Sequence, residues 1–148
     1  MGVNTKSFDN ASDMITFSRA SGAYGLTKVS YGSELVTNGD FSSDSDWTKI
    51  GTATISGGQA NLATTNDEIQ QGLAVAGVTY EVRINWTVGT GTYLKLYIGG
   101  TYKQVFTSDL TFLITATSAQ AFRFIAGNGS ATISEISVKE VTYNSSDP

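Results

Sequence analysis

Histidine and cysteine are both absent from this chain. They are the side chains that most readily supply a base, a nucleophile or a soft-metal ligand near neutral pH. A Ser–His–Asp or Cys–His arrangement therefore cannot be assembled, and a zinc site would have carboxylates alone to draw on. Without cysteine the fold needs no disulfides, which suits synthesis in a reducing cytoplasm. Proline occurs once, at Pro148, beside sixteen glycines and abundant Thr and Ser, a composition suited to many short strands joined by turns. Charge is sparse, and the net charge of −4 argues against a phosphate-neutralising surface and hence against nucleic acid. No apolar run approaches the roughly eighteen residues of a membrane span, so membrane insertion is not expected. The first nine residues lack the apolar core of a signal peptide.

What is present is strand-like. A length of 148 residues suits one domain with a real core, plus an arm. Residues 1–33 are polar and Gly/Ser-spaced, with one apolar stretch from Met14 to Ser18, and read as an N-terminal arm holding at most one short strand. From residue 34 to 141 the chain is a series of period-two segments. Gly57-Gly58 between Ala53–Ser56 and Gln59–Ala63 marks a hairpin. Thr79 to Val88 alternates strictly, with Tyr80, Val82, Ile84, Trp86 and Val88 on one face. Leu94, Leu96 and Ile98 form the next apolar face, and Phe122 and Phe124 face inward around Arg123. Ile133 sits three residues before Ile136, so burying both with Val138 requires a β-bulge near Ser134-Glu135. About nine strands without helical periodicity predict an all-β antiparallel sandwich. Residues 142–148 read as a polar tail.

One outward set has the composition of a binding face. Arg83 and Asn85 with Tyr93, Lys95 and Tyr97 lie opposite the apolar faces of two apparent strands, and Tyr102 and Gln104 extend them. Flat apolar rings edged by hydrogen-bonding groups suit pyranose sugars. The same residues equally describe a protein contact surface, or a solvated sheet face steadied by cross-strand pairs.

Residues 34–141 resemble the jelly-roll sandwiches of carbohydrate-binding modules, in the broad galactose-binding-like superfamily. The resemblance lies in Leu35-Val-Thr-Asn-Gly-Asp-Phe41, Trp47, Gly57–Leu62, Val78–Val82 and Ile133-Ser-Glu-Ile-Ser-Val138. It implies a jelly roll and places Trp47 under the sandwich; Trp86, by its parity, is core as well. It also implies a candidate structural calcium near the chain ends, with Asp40 and Glu135 as ligands. Two departures weigh against that ion: Ser134 stands where an acid usually follows the Ile, and Asp40-Phe41 is followed by Ser42 rather than Glu. Asp44 and Asp46 form a nearby loop pair, a composition also common in plain hydrophilic turns. No other cofactor is implied.

The arm carries a second resemblance. Asp13-Met-Ile-Thr-Phe-Ser-Arg-Ala-Ser-Gly-Ala-Tyr24 is similar to a segment common in tail, fibre and other virion proteins of tailed phages. It implies a non-enzymatic virion protein made in the host cytoplasm, either a capsid decoration protein or a small surface appendage. Ile15, Phe17 and Arg19 would then dock on other virion proteins of the capsid or tail. The alternative is a glycan-binding adhesin or receptor-binding module facing host-surface or environmental sugars. An accessory domain of a larger enzyme is not expected, the chain starting at Met1 and closing on its own polar tail. For catalysis, the adjacent acids Asp67-Glu68, and Glu135 with Glu140, lack any motif placing them across a cleft. Acids so placed in a β-rich chain are expected to be exposed.

Overall fold

The structure, a computed structural model, describes residues 26–88 and 92–146. Among these there are eleven strands and no helix: β1 (Leu26–Glu34), β2 (Thr48–Ile50), β3 (Thr54–Ser56), β4 (Gln59–Leu62), β5 (Glu68–Gln71), β6 (Thr79–Val88), β7 (Leu94–Ile98), β8 (Thr101–Val105), β9 (Leu110–Thr115), β10 (Phe122–Ala126) and β11 (Ala131–Ser146). They form two antiparallel sheets. Sheet A runs β3-β4-β11-β6-β9, with β1 also paired to β11; sheet B runs β2-β5-β10-β7-β8.

The pairing is nested. β7 pairs with β8, β6 with β9, β5 with β10 and β4 with β11, all antiparallel. Rolling that long folded ribbon adds the pairs β10–β7 and β11–β6 and closes a jelly roll. The fold expected from the sequence is therefore present.

The chain divides into two compact units, of which residues 31–141 form the sandwich. Of the other unit the described residues are 26–30 and 142–146, where the Asn144 amide donates to the Ser30 hydroxyl at 3.4 Å. The segment read as an arm thus differs at its end, since residues 26–33 are strand. β1 has no strongly buried row among its described side chains, so no apolar alternation announced it; it is a strand because it pairs with β11. Likewise β11 continues to Ser146, into the expected polar tail, although Val141 is its last buried side chain. Ile15, Phe17 and Arg19 lie outside the described residues.

Period two decides the core. Tyr80, Val82, Ile84 and Trp86 from sheet A meet Leu94, Leu96, Ile98, Phe122 and Phe124 from sheet B, each at most 3 % exposed. Each such side chain, fully buried, contributes roughly 1.5–3 kcal/mol of transfer free energy. The register of β11 on β6 shifts between Ile133 and Glu135, the expected bulge, and Ile133, Ile136 and Val138 are all buried. In the β3–β4 hairpin Ser56 faces Gln59, and Gly57 and Gly58 have φ of 62° and 76°, as a primed turn requires.

The motif at residues 35–47 closes one end of the core. The Asn38 amide donates to the carbonyls of Ser43 and Ser45, and the Trp47 indole donates to the Asn38 carbonyl at 3.0 Å. Trp47 packs on Phe41 and edge-on to Phe124. Gln71 of β5 exchanges hydrogen bonds with the backbone of Thr37. Trp86 is also core, donating to the Thr107 carbonyl at 2.7 Å. Both tryptophans are structural.

Tyr80 is 1 % exposed, and its hydroxyl accepts from the Val75 amide at 2.8 Å. Tyr80→Phe keeps the ring and strands that amide, so stability falls by about 1–3 kcal/mol, read from urea unfolding. An unchanged midpoint would mean that water satisfies Val75 equally well.

Candidate functional site

The seven residues expected on one face divide between two. Arg83 and Asn85 belong to β6, in sheet A; Lys95 and Tyr97 belong to β7, and Tyr102 and Gln104 to β8, in sheet B. Tyr93 immediately precedes β7. β6 pairs with β9 and β11, while β7 pairs with β8 and β10. In a jelly roll consecutive strands mostly change sheets, so sequence adjacency did not make β6 and β7 partners.

Sheet B carries four of the seven, with Tyr93 at its margin, and adds Glu68 and Arg123, with Phe106 just beyond β8. Across one row, Gln70, Arg123, Tyr97 and Tyr102 are in register; across the next, Glu68, Ile125, Lys95 and Gln104. Arg123 holds Glu68 through both carboxylate oxygens, Nε to Oε2 at 2.6 Å and Nη2 to Oε1 at 3.0 Å. Its guanidinium also lies 4.9 Å from the centre of the Tyr97 ring, which in turn sits 5.0 Å from Tyr102. The hydrogen bonds that Arg123 donates to Glu68 raise the Arg123 pKa further, against the opposing effect of burial. Lys95 donates to the Asn66 side-chain carbonyl at 3.0 Å, and Ile125, in register between Lys95 and Glu68, is only 5 % exposed.

At the margin of this face Tyr93 pairs with Phe106, centroids 5.3 Å apart, with Phe106 60 % exposed. A Cβ on Gly127 would stand 2.2 Å from the Tyr93 ring, so the ring lies on bare backbone there. Arg123 was legible as outward from its place between Phe122 and Phe124. Glu68 and Phe106 had no comparable signal: one looked like an exposed acid and the other lies just beyond its strand.

The face can stack a flat apolar surface and hydrogen-bond around it, through Tyr102, Tyr97, Arg123 and Gln104. The same contacts join β5, β10, β7 and β8 laterally, as cross-strand pairs do.

On sheet A, Arg83 faces Ser137, and Asn85 faces Glu135. An open cleft of about 280 Å³ there is lined by Glu34, Asp40, Arg83, Glu135, Ser137 and Lys139, among others. Asp40 and Glu135, the calcium candidates, thus share a cleft. It also holds two cationic side chains, and Glu34 is committed to the Ser137 hydroxyl and to the amides of Val36 and Val138. Among the described residues no group of three acids is placed to hold a metal. Asp44 pairs with Lys49, and Asp46 accepts from Ser45.

The adjacent acids depart from expectation, for both are buried: Asp67 is 2 % and Glu68 4 % exposed. Each is buried because it is partnered. Asp67 accepts from the Thr52 hydroxyl at 2.6 Å, the Thr52 amide at 2.8 Å and the Thr64 amide at 3.0 Å. Burial pushes its pKa up, but the hydrogen bonds from Thr52 and Thr64 outweigh it, and the carboxyl is held below its usual range. Glu135 and Glu140 fall on opposite sides of β11 by the alternation that buries Ile136 and Val138.

Compared with known proteins, the chain matches no protein-family model and no curated sequence.

A depressed folded-state pKa makes Asp67 stabilising above its unfolded value, about 3.9, with that stability lost as pH falls through the lower folded value. Urea midpoints should therefore drop as the pH is lowered through and below about 3.9. Asp67→Asn should unfold more easily at neutral pH and show a smaller acid-induced drop. Equal pH profiles for the two proteins would remove Asp67 from this role.

Proposed function

We propose that this chain is a non-enzymatic structural protein of a tailed-phage particle, a capsid decoration protein or small surface appendage that displays its jelly roll outward. One pairing carries the reading: the Asp13–Tyr24 segment, similar to segments of virion proteins, precedes a jelly-roll sandwich. In this reading Ile15, Phe17 and Arg19 dock on other virion proteins, and the outer face of sheet B meets what lies outside. The commitment of Asp67 and Glu68 to internal partners agrees with a protein that works by adhesion. Purified particles of the phage that encodes the chain should contain it by mass spectrometry. Added chain lacking residues 2–25 should keep its unfolding transition and fail to cosediment with particles that lack the protein. Its absence from purified particles would end the reading.

A glycan-binding role, as an adhesin or receptor-binding module, is favoured by a different observation. Tyr102 is 44 % exposed beside Tyr97, with Gln104 on the same side of β8, a ring platform edged by polar groups that suits a pyranose. On a glycan array, Tyr102→Ala should abolish binding while costing the fold no more than about 1 kcal/mol, the worth of one cross-strand pair. An array blank for the unaltered protein would leave this face to protein partners.

A further inference from the structure

An edge strand is a template for another chain unless something guards it. Among the described residues the strands with an unpaired side are β1, β2, β3, β8 and β9. Four of them are guarded. β2 and β3 are three residues long, and β2 carries Lys49. β1 carries Lys28 and Glu34. β8 carries Lys103, whose register partner is the core residue Leu96; its ammonium lies 4.8 Å from the centre of the Phe112 ring. An inward-pointing charge is one way natural sheets blunt an edge.

β9 differs. Leu110-Thr-Phe-Leu-Ile-Thr115 contains no charge, no proline and no glycine, the composition of a segment that pairs readily with strands like itself. Leu110, Phe112 and Ile114 pack against the core, while Thr111, Leu113 and Thr115 alternate outward, with Leu113 50 % exposed. The Thr115 carbonyl accepts from the Thr101 hydroxyl at 2.6 Å, so one end is closed and the open backbone lies along residues 110–114.

We propose that β9 is a docking edge for a second copy of this chain, pairing antiparallel with its own counterpart across a two-fold axis so that sheet A continues through both copies. Charge decides the occupant. In an isologous contact the strand faces itself, and any charge it carried would meet its like, which destabilises paired strands. β9 has none. Its open stretch along residues 110–114 would meet the same stretch reversed, a match between identical neutral surfaces. The neighbouring strand β6 places Glu81 and Arg83 on that face, charges of opposite sign that leave no local excess to repel a copy. The inference stands apart from the proposed particle role and does not depend on it.

The test is sedimentation velocity on the full chain from micromolar to millimolar concentration, with hydrogen exchange read by mass spectrometry. A reversible dimer is expected, with protection of residues 110–114 rising with concentration. Leu113→Lys should raise the dimer Kd roughly tenfold or more, because two ammonium groups meet in each dimer. Tyr102→Lys, on the other sheet, should leave it unchanged. Thr111→Lys provides the same test should Leu113→Lys alter the unfolding transition. A monomer throughout, a dimer indifferent to these charges, or β9 protection that appears only when phage particles are added would each overturn the proposal.

Discussion

β11 is the strand on which the sandwich depends. It pairs with β6 over residues 131–141, with β4 at its start and also with β1. A strand alternates faces strictly, so a slip of one residue turns every side chain over. With Ile133 inside, an unbroken β11 would turn Ile136 and Val138 toward water. The extra residue at Ser134 removes that conflict, and the Ser134 hydroxyl bonds to the Asn85 carbonyl across the pair. The whole inner face of sheet A is consistent because of this one irregularity.

Polar groups hold the ends of the sandwich where apolar area runs out. Asp67 gathers Thr52 and Thr64 around one carboxylate, while its own carbonyl accepts from the Ala126 amide. Asn38 and Gln71 do the same for the segment that seats Trp47. Such a network is stabilising only when fully satisfied, and among the described residues no buried side-chain polar atom lacks a partner. Loops so held can present a face without moving when it is occupied, which lowers the ordering cost of binding.

The outer face of sheet B carries structural contacts and the proposed binding role in one set of residues. Arg123 is at once the partner that permits Glu68 to be buried and the cation beside Tyr97. Tyr97 and Tyr102 steady the β7–β8 pair, and Tyr102 also offers its ring to solvent. A substitution that removes only an exposed ring can therefore separate binding from stability, whereas one at Arg123 cannot, because it would leave a buried carboxylate alone.

Much of the fold was determined by the sequence alone, because it rests on local alternation. Period-two spacing placed Tyr80 to Trp86, Leu94 to Ile98, and Phe122 with Phe124 in the core, and the misfit between Ile133 and Ile136 located the bulge. Where burial was not the organising force, the sequence was silent: β1 is a strand by pairing with β11, and nothing in its own residues required it. Tertiary structure alone decided which faces coincide. Outwardness of Arg83 and of Tyr97 could be read from each strand separately, but that they lie in different sheets depends on the nested pairing, set by contacts between residues distant in sequence. The burial of Asp67 and Glu68 was decided in the same way, because Thr52 and Arg123, far along the chain, supply the hydrogen bonds that allow a charge to leave water.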